Sequence, residues 1–112
     1  MEIDWSYDED FACCEEYVKK YLINKDYDDS NILAYNLNLK FKNKIEATSI
    51  SIKLSNIKHL LLQMNINHNN NIKPLNHFSE QNLVALCKVL KKYNIPFYID
   101  LEKLKRLLES RK

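Results

Sequence analysis

The stretch Ile-Leu-Ala-Tyr-Asn-Leu-Asn-Leu-Lys-Phe-Lys (residues 32–42) decides how the whole chain is read. Leu33, Tyr35, Leu37, Leu39 and Phe41 alternate with Ala34, Asn36, Asn38, Lys40 and Lys42. A period of two puts successive side chains on opposite sides of an extended backbone, so the stretch reads as a half-buried strand. The residues around it are fitted to that strand. Ile50, Ile52 and Leu54 share one face of a second strand over about 49–54. A change of parity from Ile45 and Ala47 is read as a bulge or a late start.

Residues 56–67 fit two patterns. Leu60, Leu62, Met64 and Ile66 alternate as a strand would, while Ile57, Leu60, Leu61 and Met64 share a helical face. The strand is favoured because Ser55 and Asn56 supply a short turn after the preceding strand.

Outside this middle region the period is helical. Phe11, Cys14, Val18, Tyr21 and Leu22 recur at three- and four-residue spacing, predicting a helix over about 8–24. Ser6 and Glu9 have capping-box spacing at its start. Residues 26–31 read as a turn. Ser79 caps a helix to about Tyr93, buried through Leu83, Leu86, Cys87 and Leu90. Asn94 suits a left-handed helix end, and Pro96 blocks continuation. Residues 96–99 make a short strand, and Asp100 caps a last helix carrying Leu101, Leu104, Leu107 and Leu108. The expected fold is a single α+β domain over 1–112, in the order α-β-β-β-α-β-α. Its mixed or antiparallel sheet is covered by helices.

Length and composition bound the rest. At 112 residues, with 46% hydrophobic side chains, the chain can fill one modest core without metals or disulfides. Its longest aliphatic run, Leu60-Leu61-Leu62, is far below the roughly 20 residues of a membrane span. The acidic start lacks the pattern of a secretory signal, so a cytoplasmic location is expected. Three cysteines without framework spacing read as reduced, mostly buried thiols. Lys, Asn and Ile supply 40 residues and Gly none, the profile of an A+T-rich genome. Without glycine, backbone cradles for phosphate and the nucleophile elbow of hydrolases are excluded. Asparagine must then occupy the left-handed positions that glycine normally takes, as in the loop at 65–71, where six of seven residues are Asn or His.

No catalytic constellation emerges. His59, His68 and His77 are evenly spaced but lack the tight ligand pairs of a zinc site, so no metal is expected. Residues 26–37 resemble the front of a calcium loop, yet Asn31 replaces its glycine and Leu37 its bidentate glutamate. Cys87 sits mid-helix on an apolar stripe, a packing position and not an activated thiol. No cofactor is implied, and enzymatic activity is not expected.

Charge is distributed unevenly. Residues 1–29 hold ten acidic and three basic side chains, and residues 30–112 hold five acidic and fourteen basic. Acids in a first helical turn stabilise the macrodipole, which accounts for part of this, though not for Glu2, Asp4, Asp28 and Asp29. With that remainder as the binding surface, small size and the absence of catalytic motifs fit a small protein-binding domain that inhibits or neutralises another protein, as immunity proteins, antitoxins and phage inhibitors do. Its partner would have a basic surface. Trp5, Tyr7, Asp8, Asp10, Glu15 and Glu16 are the expected contacts, with aromatic anchors set among steering carboxylates. An alternative is nucleic-acid binding through Lys88, Lys91, Lys92, Lys103, Lys105, Arg106 and Arg111. With only two arginines in the chain, base-specific readout is disfavoured.

Overall fold

The computed structural model describes residues 4–27 and 29–109, with the side chains of Leu107 and Leu108 outside that description. Glu2, Asp28 and Arg111, invoked above, also lie outside the described residues. The architecture is helical: α1 (Tyr7–Tyr17) continues into a π-helical segment (Val18–Ile23). Then come α2 (Ser30–Lys40), α3 (Ala47–Gln63), α4 (Glu80–Lys92) and α5 (Leu101–Glu109). No strand occurs among the described residues, so the expected α+β fold with its sheet is wrong.

The error has a physical cause in residues 32–42. Positions two apart on a helix are separated by roughly 200°, and positions four apart by only about 40°. Leu33 and Leu37 therefore share one side of α2, where both are buried with Ala34. Phe41 extends that side and packs edge-on against Trp5, with ring centroids 6.5 Å apart. Tyr35 and Leu39 share the opposite side with Ile32, and all three are exposed. Two apolar stripes on opposite faces of one helix sum to a period of two. Strand-like alternation is the signature of such a helix as much as of a strand.

The next two expected strands are one helix. Ile50, Leu54, Ile57, Leu61 and Met64 follow a spacing of four, three, four and three, and all are buried along α3. Ser55 and Asn56 lie mid-helix, with no turn there, and Ile52 points outward at 50% exposure. Residues 96–99, the last expected strand, take no regular secondary structure. Phe97 and Ile99 lean on the core while Tyr98 is exposed.

The starts of α1, α4 and α5 follow the sequence reading, while those of α2 and α3 fall where a turn and strands were expected. Ser6 Oγ accepts from the Glu9 amide at 3.1 Å, and Glu9 Oε1 accepts from the Ser6 amide at 2.9 Å, completing the capping box. Ser79 Oγ accepts from the Asn82 amide, Asp29 Oδ1 from the Asn31 amide, and Asp100 Oδ1 from the Lys103 amide. The helix ends solve the problem of a chain without glycine. Lys25, Lys42, Asn65 and Asn94 follow the C-caps of the π-helical segment, α2, α3 and α4 with φ of 52°, 55°, 62° and 57°, so lysine shares these left-handed positions with asparagine. After α3 and α4 the paired Schellman bonds form, Ile66 N–H to Leu61 O and Ile95 N–H to Leu90 O, each 2.9 Å. Ile66 and Ile95 then pack on the core, closing each end hydrophobically.

The core sits where α1 lies between α4 and α3, with α2 laid on α3. Cys13, Cys14 and Tyr17 of α1 and Val18 and Tyr21 of the π-helical segment are buried there, against Leu86, Val89 and Leu90 of α4. All three cysteines are free. Burial pushes the Cys13 thiol up to about 12, so it remains protonated and apolar in character. No helix among the described residues is long and apolar enough to cross a membrane.

Candidate protein-docking face

Helix α2 places apolar side chains on both of its faces and buries only one. Ile32, Tyr35 and Leu39 are 46%, 58% and 50% exposed. By helical geometry they fall within an arc of roughly 60° on the side away from α3. Tyr27, just before the helix, is also exposed. Single exposed apolar residues are ordinary, whereas a contiguous stripe on one helix face makes a candidate binding surface. A tyrosine at its centre supplies a large, stiff contact area with a hydroxyl for the rim.

Charges flank the stripe in order. Asp29 caps the N-terminal end, with Asp26 close by in sequence and 55% exposed in its side chain. Lys40, Lys42 and Lys44 lie at the C-terminal end and are exposed. Lys40 stands 3.7 Å from Glu16 and Lys44 stands 3.6 Å from Glu9. One end of the face is acidic and the other basic.

The six residues expected to form an acidic contact surface are mostly engaged within the fold. Asp10 is fully buried, with Lys53 Nζ 2.6 Å from Oδ1 and Gln81 Nε2 donating to Oδ2 at 2.6 Å. It belongs to the interior, since a non-local lysine on α3 faces the first turn of α1. Trp5 is half-buried, with Lys53 Nζ 4.6 Å from its ring centre and Gln81 Nε2 donating to its carbonyl. Glu15 accepts from Lys92 Nζ and from the Tyr93 hydroxyl. The Lys92 ammonium first, and the tyrosine second, hold its carboxyl below the usual carboxylate range. Glu16 pairs with Lys19 and Lys40. Tyr7 and Asp8 are exposed. Three acidic residues of the segment, Asp10, Glu15 and Glu16, thus tie α1 to α3, α4 and α2.

The three histidines occupy different settings. His59 stacks on Phe78, with ring centroids 6.0 Å apart, and His77 is exposed. His68 Nδ1–H donates to the Ile66 carbonyl at 3.2 Å, which leaves Nε2 to accept from the Tyr17 hydroxyl at 2.7 Å. Asn70 adds a bond from Nδ2 to Tyr17 Oη and receives Lys58 Nζ on Oδ1 at 2.8 Å. The Asn-rich loop is therefore pinned to α1 and α3. His68 also borders an open cleft of about 260 Å³ with Tyr21, Leu22, Lys25 and Tyr27. Among the described residues, no three His, Cys, Asp or Glu side chains converge as metal ligands would.

Burial lowers the His68 pKa below 6.5, Lys58 adds to this, and the Ile66 carbonyl opposes it. The unfolded chain then binds the proton more readily than the fold. Stability is full above about pH 6.5 and falls as pH drops from there toward the folded pKa. Urea titrations at intervals from pH 7.5 to 5 are expected to show this loss in the wild type. His68→Gln, which does not titrate, is expected to show a flatter profile over the same window. An unchanged slope in the variant would assign the pH dependence elsewhere.

The alternative basic surface is exposed but divided. Lys88, Lys91 and Lys92 lie on α4 and Lys103, Lys105 and Arg106 on α5, all exposed. Lys92 is neutralised by Glu15. The outer stripe of α2 is the surface that the sequence reading missed. The one local signal was the lack of any β-branched residue from Leu33 to Lys42, which is poor strand chemistry and good helix chemistry.

No family model, curated protein or solved structure matches this chain.

Proposed function

We propose that the chain is a protein-binding domain that works by occupying its partner, in the manner of an inhibitor or neutraliser, and that its docking face is the outer stripe of α2. The supporting observation is the row Ile32, Tyr35 and Leu39, exposed on a helix whose opposite side already fills the core. Leaving three large apolar side chains in water has no folding benefit, whereas covering them on binding releases roughly 25 cal/mol per Å². The partner fitting this face presents an apolar helix or ridge. Its basic side chains meet Asp29, and its acidic ones meet Lys42.

Purification of wild-type protein and of Tyr35→Glu from the native host tests this reading, with circular dichroism confirming that both are folded. A protein recovered in stoichiometric amount with the wild type and lost from the variant is expected. A partner held equally by both would place the docking face elsewhere. Nucleic acid released by moderate salt would favour the lysines of α4 and α5 instead.

A further inference from the structure

The chemistry required of that partner is met by α2 itself, turned end for end. We infer that α2 pairs with α2 of a second copy, antiparallel about a two-fold axis between Tyr35 and Asn36. The inference rests on α2 being the docking face.

The register follows from the positions. In an antiparallel pair centred there, each residue faces the one whose number completes the same sum. Ile32 then faces Leu39 of the second copy, and Leu39 faces Ile32. Asp29 faces Lys42, and Lys42 faces Asp29. Tyr35 faces Asn36 of the second copy, which sets the two tyrosines one residue apart across the axis. Ile32 and Leu39 are matched by apolar partners, and both charged ends meet their opposites. Such self-complementarity is what an isologous two-fold interface demands. Antiparallel alignment also sets the positive N-terminal end of each α2 beside the negative C-terminal end of the other. A parallel pair would bring Asp29 against Asp29 and Lys42 against Lys42.

The area sets the strength. Eleven residues make a helix about 16 Å long, so the pair covers well under the ~800 Å² per partner of a standard interface. A weak, reversible dimer follows, populated in concentrated protein. In concentrated protein the second copy covers the stripe, and any other partner must displace it.

Sedimentation velocity from about 10 μM to about 1 mM at low salt tests the pairing. The wild type is expected to move from monomer toward dimer across that range, and Tyr35→Glu to remain monomeric throughout. Lys42→Glu and Asp29→Lys are each expected to weaken association at least several-fold, by setting like charges at both ends. An equimolar mixture of those two variants is expected to restore it, because the mixed pair regains opposite charges at both ends. A wild type that stays monomeric at 1 mM would overturn self-pairing, as would a dimer indifferent to Tyr35→Glu. A dimer that depends on Tyr35 but is not restored in the mixture would overturn the antiparallel register. A monomeric wild type whose host partner is still lost with Tyr35→Glu would sink this inference while leaving α2 as the docking face.

Discussion

Replacing Lys53 by alanine is expected to destabilise the protein by about 3–5 kcal/mol, the cost of leaving a buried carboxylate without its counter-charge. Asp10 is fully buried, and Lys53 Nζ lies 2.6 Å from its Oδ1. With the ammonium gone, Gln81 Nε2, which donates to Oδ2, is the charge's remaining donor among the described side chains. The change also removes the cation from the face of Trp5, which anchors the chain entering α1. Urea denaturation measures the loss. It is a large part of the roughly 5–15 kcal/mol that holds a domain together. Exchanging both partners for uncharged groups of similar shape, as Asp10→Asn with Lys53→Met, is expected to cost far less than Lys53→Ala. A cost below about 1 kcal/mol for Lys53→Ala would show that the pair is not closed off from water.

The second large effect separates helix from strand within six residues. Ile50→Ala is expected to cost about 2–5 kcal/mol, while Ile52→Ala is expected to cost under about 1 kcal/mol. Ile50 is fully buried beneath α3, and Ile52 is half exposed on its outer side. At an exposed helical site, alanine also gains propensity over isoleucine. Were residues 49–54 a strand, Ile50, Ile52 and Leu54 would share the buried face, and the first two substitutions would cost alike. Equal costs would therefore contradict a continuous α3.

What was legible in the sequence was local. Ser6 with Glu9, Ser79 and Asp100 act within three residues of themselves, so their spacing alone identifies them as caps. Asn94 and Pro96 mark the end of α4 in the same way, and Asn94 adopts the left-handed φ of 57° that its position requires. The middle of the chain failed because periodicity reports how many apolar faces an element has, not which of them is covered. Residues 33, 37 and 41 point inward and 32, 35 and 39 outward, and their sum imitates a strand. A helix with one apolar face would have been read correctly.

The candidate site was missed for the same reason. Which of two apolar stripes faces solvent is decided by packing against α3 and α1, outside the segment whose periodicity is read. Non-local pairing hid the fate of the acidic residues too. Asp10 reads from the sequence as a steering carboxylate on an exposed helix turn. Its buried partner Lys53 lies 43 residues away, and nothing local links the two.

The most direct test of the account is paramagnetic relaxation of methyl groups in dilute protein, using a soluble gadolinium chelate and resonances assigned to Ile32, Leu33, Leu37 and Leu39. Strong relaxation is expected at Ile32 and Leu39 and protection at Leu33 and Leu37, since 32 and 39 face solvent while 33 and 37 face the core. Protection of Leu39 together with Leu33 and Leu37 would mean that the three share one covered face. That result would contradict both the helix and the docking surface built on it.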